Sequence, residues 1–331
     1  MRVFVTGCAG YIGSVMTELL LDRGHTVIGF DNLERGHAEA VDPRAVFLRG
    51  DLRDFEAVRS ALREARADAV LHFAAYALVP ESMTQPELYF RNNVIGGIHL
   101  AEAMLQTGVR RIVFSSTCAT YGQPERVPIA EDTPQRPSNP YGESKLAFEK
   151  ILGWYQRLRG FQAVFLRYFN ACGATAKYGE DHDPETHLIP IVLQTALGKR
   201  PAVQIYGTDY DTPDGTCLRD YVHIVDLCQA HLLALDSAET GAFNLGNGNG
   251  YSVKQVIEVA REVTGRPIPT VVAPRRPGDP ACLIASAERA VRRLGWKPQY
   301  ADLRTIIRSA WEWHRAHPDG YAGAAPGRGG G

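Results

Sequence analysis

The first thirteen residues narrow the choice of fold more than any other stretch. Arg2–Thr6 is short, apolar and β-branched, the pattern of a buried strand, and it stops at Gly7. The chain then reads Gly7-Cys8-Ala9-Gly10-Tyr11-Ile12-Gly13, a G-x-x-G-x-x-G spacing. From Gly10 to Arg23 the apolar positions recur at helical spacing, and Gly24 ends them. A strand, a glycine loop and a helix in that order open a βαβ unit. In such a loop one glycine makes the turn, one lets the backbone approach a pyrophosphate, and one lets helix and strand pack. The helix start offers unpaired N–H groups and partial positive charge to the phosphates. The plainer alternative is a tight turn with no ligand, which leaves Gly10 and Gly13 weakening a helix start for no gain.

The pattern continues. Short apolar runs at 26–30, 45–48, 69–72, 111–115 and 162–166 read as strands. Between them lie helices from Asp54 to about Ala65, from Pro86 to Thr107 with Gly108 as its stop, and from about Tyr141 to Arg159. Alternation at this spacing predicts an α/β fold built on a Rossmann-type, doubly wound parallel sheet. The expected organisation is a dinucleotide domain over 1–169 and a smaller mixed α/β C-terminal domain, mainly 170–322, for the substrate. The chain is expected to recross to the first domain near 220–248, through Phe243-Asn244-Leu245-Gly246. Helix candidates there fall near 187–198, 225–234 and 253–264. The low-complexity end, 323–331, reads as a disordered tail.

Composition excludes several classes. Across 331 residues Lys+Arg number 36 and Asp+Glu 37, a net charge of −1, which leaves no footprint for nucleic acid or an anionic membrane. No run approaches the ~18 apolar residues of a membrane span, and the N-terminal apolar run stops too early for a signal peptide. Six scattered cysteines without C-x-x-C spacing read as reduced thiols of a cytoplasmic protein.

Asp31 closes the second strand, near the ~20-residue offset at which a carboxylate accepts ribose hydroxyls. A carboxylate there repels a 2′-phosphate and favours NAD over NADP, a preference nearby Arg35 would soften; the alternative for Asp31 is a turn residue. Asp51 follows the third strand, either reaching the adenine end or closing an Asx-turn. Tyr141 and Lys145 form Y-x-x-x-K, four residues apart on one helix face. A tyrosine base near neutral pH needs its pKa lowered from about 10, a matter of ~4 kcal/mol. One ammonium at ~4 Å and an effective dielectric of ~20 supplies about that much. Thr117, ending Phe114-Ser115-Ser116-Thr117, offers a hydroxyl to the same substrate oxygen, or else bonds backbone as a strand-end residue.

Taken in order, TGCAGYIG (6–13), FDNL (30–33), GDLR (50–53), HFAA (72–75), FSSTCATYG (114–122), NPYGESK (139–145), LRYFNACG (166–173), LRDYVHI (218–224) and RRPGD (275–279) resemble the extended short-chain dehydrogenase/reductase family, within it the UDP-glucose 4-epimerases. The similarity spans Met1 to about His317. It implies tightly held NAD and a UDP-hexose substrate. Ionised Tyr141, helped by Thr117, would take the C4 hydroxyl proton while hydride passes to NAD and returns to the other face of the sugar, interconverting UDP-galactose and UDP-glucose. The alternative is 4-epimerisation of another UDP-sugar: UDP-GlcNAc, a UDP-uronic acid or a UDP-pentose. By position, Gly7, Gly10, Tyr11, Ile12, Gly13, Asp31, Asn32, Asp51, Leu52, Phe73, Ala74, Ala75, Asn92, Tyr141, Lys145 and Phe169 would contact NAD. Thr117, Tyr141, Asn170, His187, Leu188, Gln204, Tyr206, Arg219, Arg276 and Asp279 would contact substrate. Tyr206 would stack on uracil, the two arginines would hold the diphosphate, and Asp279 the ribose. A homodimer through the helices 86–107 and 141–159 is also implied.

The sequence departs from the pattern in three places. Ala77 stands where some members carry a lysine, His187 where some carry an asparagine before Leu-Met-Pro, and Leu283, or Cys282 if the alignment slips by one, at a sugar-pocket wall. Cys118 and Ala119 replace the Asp-Glu pair that a 4,6-dehydratase uses. Glu180, Asp181, His182, Asp183, Glu185 and His187 crowd one loop, but their spacing matches no zinc motif, so no metal is expected.

Overall fold

In the computed structural model, which describes residues 1–276 and 278–323, seven strands form one parallel sheet. They are β1 (Arg2–Thr6), β2 (Thr26–Asp31), β3 (Val46–Arg49), β4 (Ala69–His72), β5 (Arg111–Thr117), β6 (Gln162–Tyr168) and the strand Gly241–Leu245. Their order is β3-β2-β1-β4-β5-β6, with Gly241–Leu245 at the far edge. The order reverses between β1 and β4, opening a crevice at the C-terminal strand ends, where α/β sheets place ligands. Both faces are covered. Val3, Val5, Leu71 and Val113 pack to one side, against the helices α1 (Tyr11–Asp22) and Ile224–Asp236. Phe4, Val70, Ile112 and Phe114 pack to the other, against α2 (Phe55–Ala65), Gly96–Thr107 and Pro140–Arg159. That alternation explains why the strands carry apolar residues on both faces.

Local chemistry sets the element ends. The Asp54 carboxylate accepts from the Glu56 and Ala57 amides at the start of α2. Asn139 caps Pro140–Arg159 through the Gly142 amide, and Pro140 opens that helix. Gly108 and Gly160 end their helices with positive φ. The helix expected over 86–107 runs unbroken from Pro86 to Thr107, with a π-helical turn at Phe90–Ile95 inside it and a further helix Val79–Thr84 before it.

The return of the chain is narrower than 220–248. Gly241–Leu245 joins the large sheet beside β6, whereas Leu218–His223 belongs to a small sheet with Asn170–Cys172, Gly250–Ser252 and Cys282–Leu283. Buried Asp220 ties that small sheet together by accepting from the Asn247, Gly248 and Ala285 amides. A separate core beneath it joins Leu188–Ala196, Val253–Thr264 and Leu303–Ala316. Of the expected tail 323–331, residues 324–331 lie outside the described residues.

Candidate active site

The glycine loop is built as its spacing demands. Gly7 has φ of +74°, and a Cβ there would stand 2.6 Å from the Ala74 amide nitrogen. A Cβ on Gly13 would stand 2.0 Å from the Gly7 carbonyl oxygen. Gly10 meets nothing closer than 3.4 Å and faces the cavity, where it precedes α1 as a cap without a side-chain acceptor. The first amides of α1 are thus left free to face an anion.

A cavity runs from this loop across the C-terminal strand ends. Gly7, Gly10, Tyr11, Ile12, Gly13, Asp31 and Asn32 line one end. Leu52, Phe73, Ala74, Ala75, Ala77 and Asn92 form its walls. Tyr141, Lys145, Phe169, Asn170 and His187 reach its other end. The Asp31 carboxylate accepts from the Ala9 amide at 3.1 Å and the Leu33 amide at 2.8 Å, and burial pushes its pKa up. Asp51 does not line the cavity. Burial opposes its charge, but the Arg53 guanidinium, 2.5 Å away, and the Asn32 amide hold it down at about 2. Arg35 pairs with Glu81 at 2.6 Å.

Burial pushes the Tyr141 phenol up to about 12, against the pull of the Thr117 hydroxyl, which itself accepts from the Ala119 amide at 3.2 Å. Lys145 is buried, donates to the Ser115 carbonyl at 2.8 Å, and sits 4.9 Å from the Phe114 ring centroid. Burial draws it down to about 7, against the pull of Glu149. Desolvation is thus the largest influence on both groups in the protein alone, whereas the sequence reading weighs Lys145 and a nearby nicotinium ring as what lowers the tyrosine. Glu149 was missed in the sequence, although Tyr141, Lys145 and Glu149 repeat every four residues on one face. It forms a buried pair with Arg167 at 2.6 Å and accepts from Ser116 at 2.5 Å.

The residues expected for substrate fall into two groups. Asn170 and His187 line the cavity, Asn170 with its amide held by the Asp220 carbonyl, and Leu188 packs into the core below. Arg219, Arg276 and Asp279 form a second cluster, outside the cavity lining, in which Asp279 pairs with both arginines, Arg276 at 3.3 Å. The Arg276 guanidinium lies 4.7 Å from the Tyr206 ring centroid, and the Tyr206 hydroxyl bonds Gln204. Cys282 and Leu283 run beside Leu218 and Arg219, and Leu283 packs toward Phe169 and Cys118.

The family described as NAD dependent epimerase/dehydratase matches residues 3–246. The chain belongs to that family. A UDP-glucose 4-epimerase of Halalkalibacterium halodurans is 54% identical over 328 residues, 97% of this chain and 98% of that protein. One of Streptomyces lividans is 52% identical, covering 97% and 98%. A crystal structure of a UDP-glucose 4-epimerase superposes with a TM-score of 0.94 at 49% identity over 96% of this chain and 99% of that one. The Brucella ovis enzyme in complex with NAD gives 0.90 at 44%, over 93% and 97%. Family membership makes NAD the cofactor. The residues present fit it: glycines where a Cβ would collide, free helix-start amides, and a carboxylate at the end of β2.

Proposed function

We propose that this protein is a UDP-glucose 4-epimerase, interconverting UDP-galactose and UDP-glucose by transient oxidation at C4. The observation that carries the reading is Tyr141, with Lys145 one helical turn on, at the far end of the cavity that opens at the glycine loop. Bound NAD supplies the two-electron acceptor and donor. Gly7, Gly10 and Gly13 admit its pyrophosphate, Asp31 and Asn32 its ribose, and Tyr11, Ile12, Leu52, Phe73, Ala74, Ala75, Asn92 and Phe169 surround it; Asp51 acts from behind, through Asn32. Tyr141 takes the C4 hydroxyl proton and returns it, Thr117 orients that oxygen, and Lys145 sets the local charge. On the substrate side, Tyr206, Arg219, Arg276 and Asp279 take the nucleotide and diphosphate, with Gln204, Leu188, Asn170 and His187 around the sugar. Dehydration is disfavoured, because Ala119 carries no proton and burial pushes the Cys118 thiol up to about 12. Six free cysteines fit a reducing, cytoplasmic setting.

The protein acts as a homodimer in this reading. The helix Pro140–Arg159 exposes Trp154 and Leu158, and the neighbouring segment exposes Phe90 and Ile95.

The test is purified protein with UDP-galactose and no added cofactor, following UDP-glucose. Conversion is expected, and Tyr141→Phe should lower its rate by roughly 10²–10⁴-fold while keeping bound NAD. No turnover even with NAD added, or full activity in Tyr141→Phe, overturns the assignment.

A further inference from the structure

We propose that Glu180, His182, Glu185 and His187 bind one divalent transition-metal ion, zinc by preference. One donor atom from each lies within 4.8 Å of the other three. His182 Nδ1 is 3.2 Å from Glu180 Oε1 and 3.7 Å from Glu185 Oε2. His187 Nδ1 is 2.8 Å from Glu180 Oε1 and 3.2 Å from Glu185 Oε1. With metal–ligand bonds of about 2.0–2.2 Å, tetrahedral geometry separates neighbouring donors by roughly 3.3 Å. The separations among Glu180 Oε1, Glu185 Oε2 and the two Nδ1 atoms, 2.8, 3.2 and 3.7 Å, bracket that value. Two imidazoles and two carboxylates form an N₂O₂ set suited to zinc.

A second observation argues against a simple ion-pair cluster. The Glu185 side chain is only 2% exposed, yet its Oε2 has no hydrogen-bond partner among the described residues. Its Oε1 is already held by the Thr186 and His187 amides, both at 2.7 Å, which fixes the carboxylate with its free oxygen turned to the histidines. His182 Nδ1 is also buried and unbonded, although Glu180 stands within reach, because the ring is not aligned with it. Groups buried without partners ask for an explanation. Balancing two buried carboxylates with protons would put two imidazolium rings 5.4 Å apart, with His182 Nδ1 still 3.7 Å from Glu185 Oε2. A doubly charged ion balances both carboxylates with neutral imidazoles and gives each free donor atom a ligand bond.

Four protein ligands make a closed, structural site rather than a catalytic one. Glu180, His182 and His187 also line the cofactor cavity, and His187 precedes the helix Leu188–Ala196. The ion would therefore fasten the 180–187 segment as a cavity wall. It departs from the sequence-based expectation of no metal, because the donors' spacing along the chain follows no zinc pattern while the loop brings them together.

The test uses the full chain, stripped with chelator and titrated with zinc, then with cobalt(II) as a spectroscopic probe. Expected are one tightly bound zinc per chain, a tetrahedral cobalt absorption band, and a thermal midpoint that rises with zinc. Glu185→Gln and Glu185→Ala, at a position outside the cavity lining, should each lose the cobalt band and the zinc-dependent rise while retaining bound NAD; if one variant fails to fold, the other carries the test. No stoichiometric zinc in the parent, or an unchanged cobalt band in a folded variant, overturns the proposal.

Discussion

At the scale of single residues, burial sets the charge states around the site more than any one neighbour does. Tyr141 stands at about 12 and Lys145 at about 7 from the protein's own groups, each displaced toward its neutral form by desolvation. The spacing Y-x-x-x-K was legible, but the sign of the burial effect was not, because it depends on the depth of the helix against β5. The same effect makes buried histidines acid-sensitive. His231 is fully buried, its Nδ1 bonded to the Leu227 carbonyl, its ring 4.8 Å from that of the cavity residue Phe73. Burial lowers its pKa from 6.5 to about 4. The unfolded chain then binds the extra proton between those values, so stability from neutral His231 is complete above about pH 6.5 and is lost on acidification toward 4. His231→Leu should flatten that part of the stability profile by up to about 3 kcal/mol. Denaturant unfolding from pH 7.5 to 4 checks it, and a profile parallel to the parent's would refute the linkage.

At the scale of elements, the glycine loop is the part most completely specified by sequence. Gly13→Ala puts a methyl group against the Gly7 carbonyl, a backbone atom that cannot swing aside, so α1 must move away from β1. Overpacking of this kind typically costs about 1–3 kcal/mol. The displaced helix start should also weaken NAD retention, whereas Gly24→Ala, with nothing within 4 Å but φ of +78°, should lose stability and keep NAD. Cofactor content and thermal midpoint, measured side by side, separate the two; equal NAD content in both variants would contradict the argument. Other elements were legible to different degrees. The sheet strands stood out because their central residues are apolar on both faces. The helix Leu303–Ala316 went unread although Leu303, Ile306, Ile307, Ala310 and Trp311 carry helical spacing. The π-helical turn Phe90–Ile95 has no signal along the chain. Nearby packing is tight enough that a Cβ on Gly97 would stand 2.6 Å from the Phe148 ring, and buried Asn93 bonds Ser144 and the Tyr76 carbonyl.

At the scale of the whole molecule, what escaped the sequence is what distant segments build together. The cluster of Tyr206, Arg219, Arg276 and Asp279 comes from three stretches, and only its resemblance to a family made it legible. The Glu–His cluster of 180–187 was visible as composition but not as geometry. Subunit association belongs to this scale too. Trp154 and Leu158 are 57% and 65% exposed and lie four residues apart, hence on one face of Pro140–Arg159. Phe90 and Ile95 are exposed on the segment packed beside that helix. Large apolar side chains gathered on two adjacent helices suit a self-complementary, two-fold contact, in which each patch is buried twice. Sedimentation should give the parent twice the chain mass. The double variant Trp154→Glu, Leu158→Glu places like charges across the axis and should sediment as a single chain, with NAD content unchanged because neither residue lines the cavity. A variant that keeps the parent's mass would move the interface elsewhere, since an axis through this helix pair would set the two charged patches against each other.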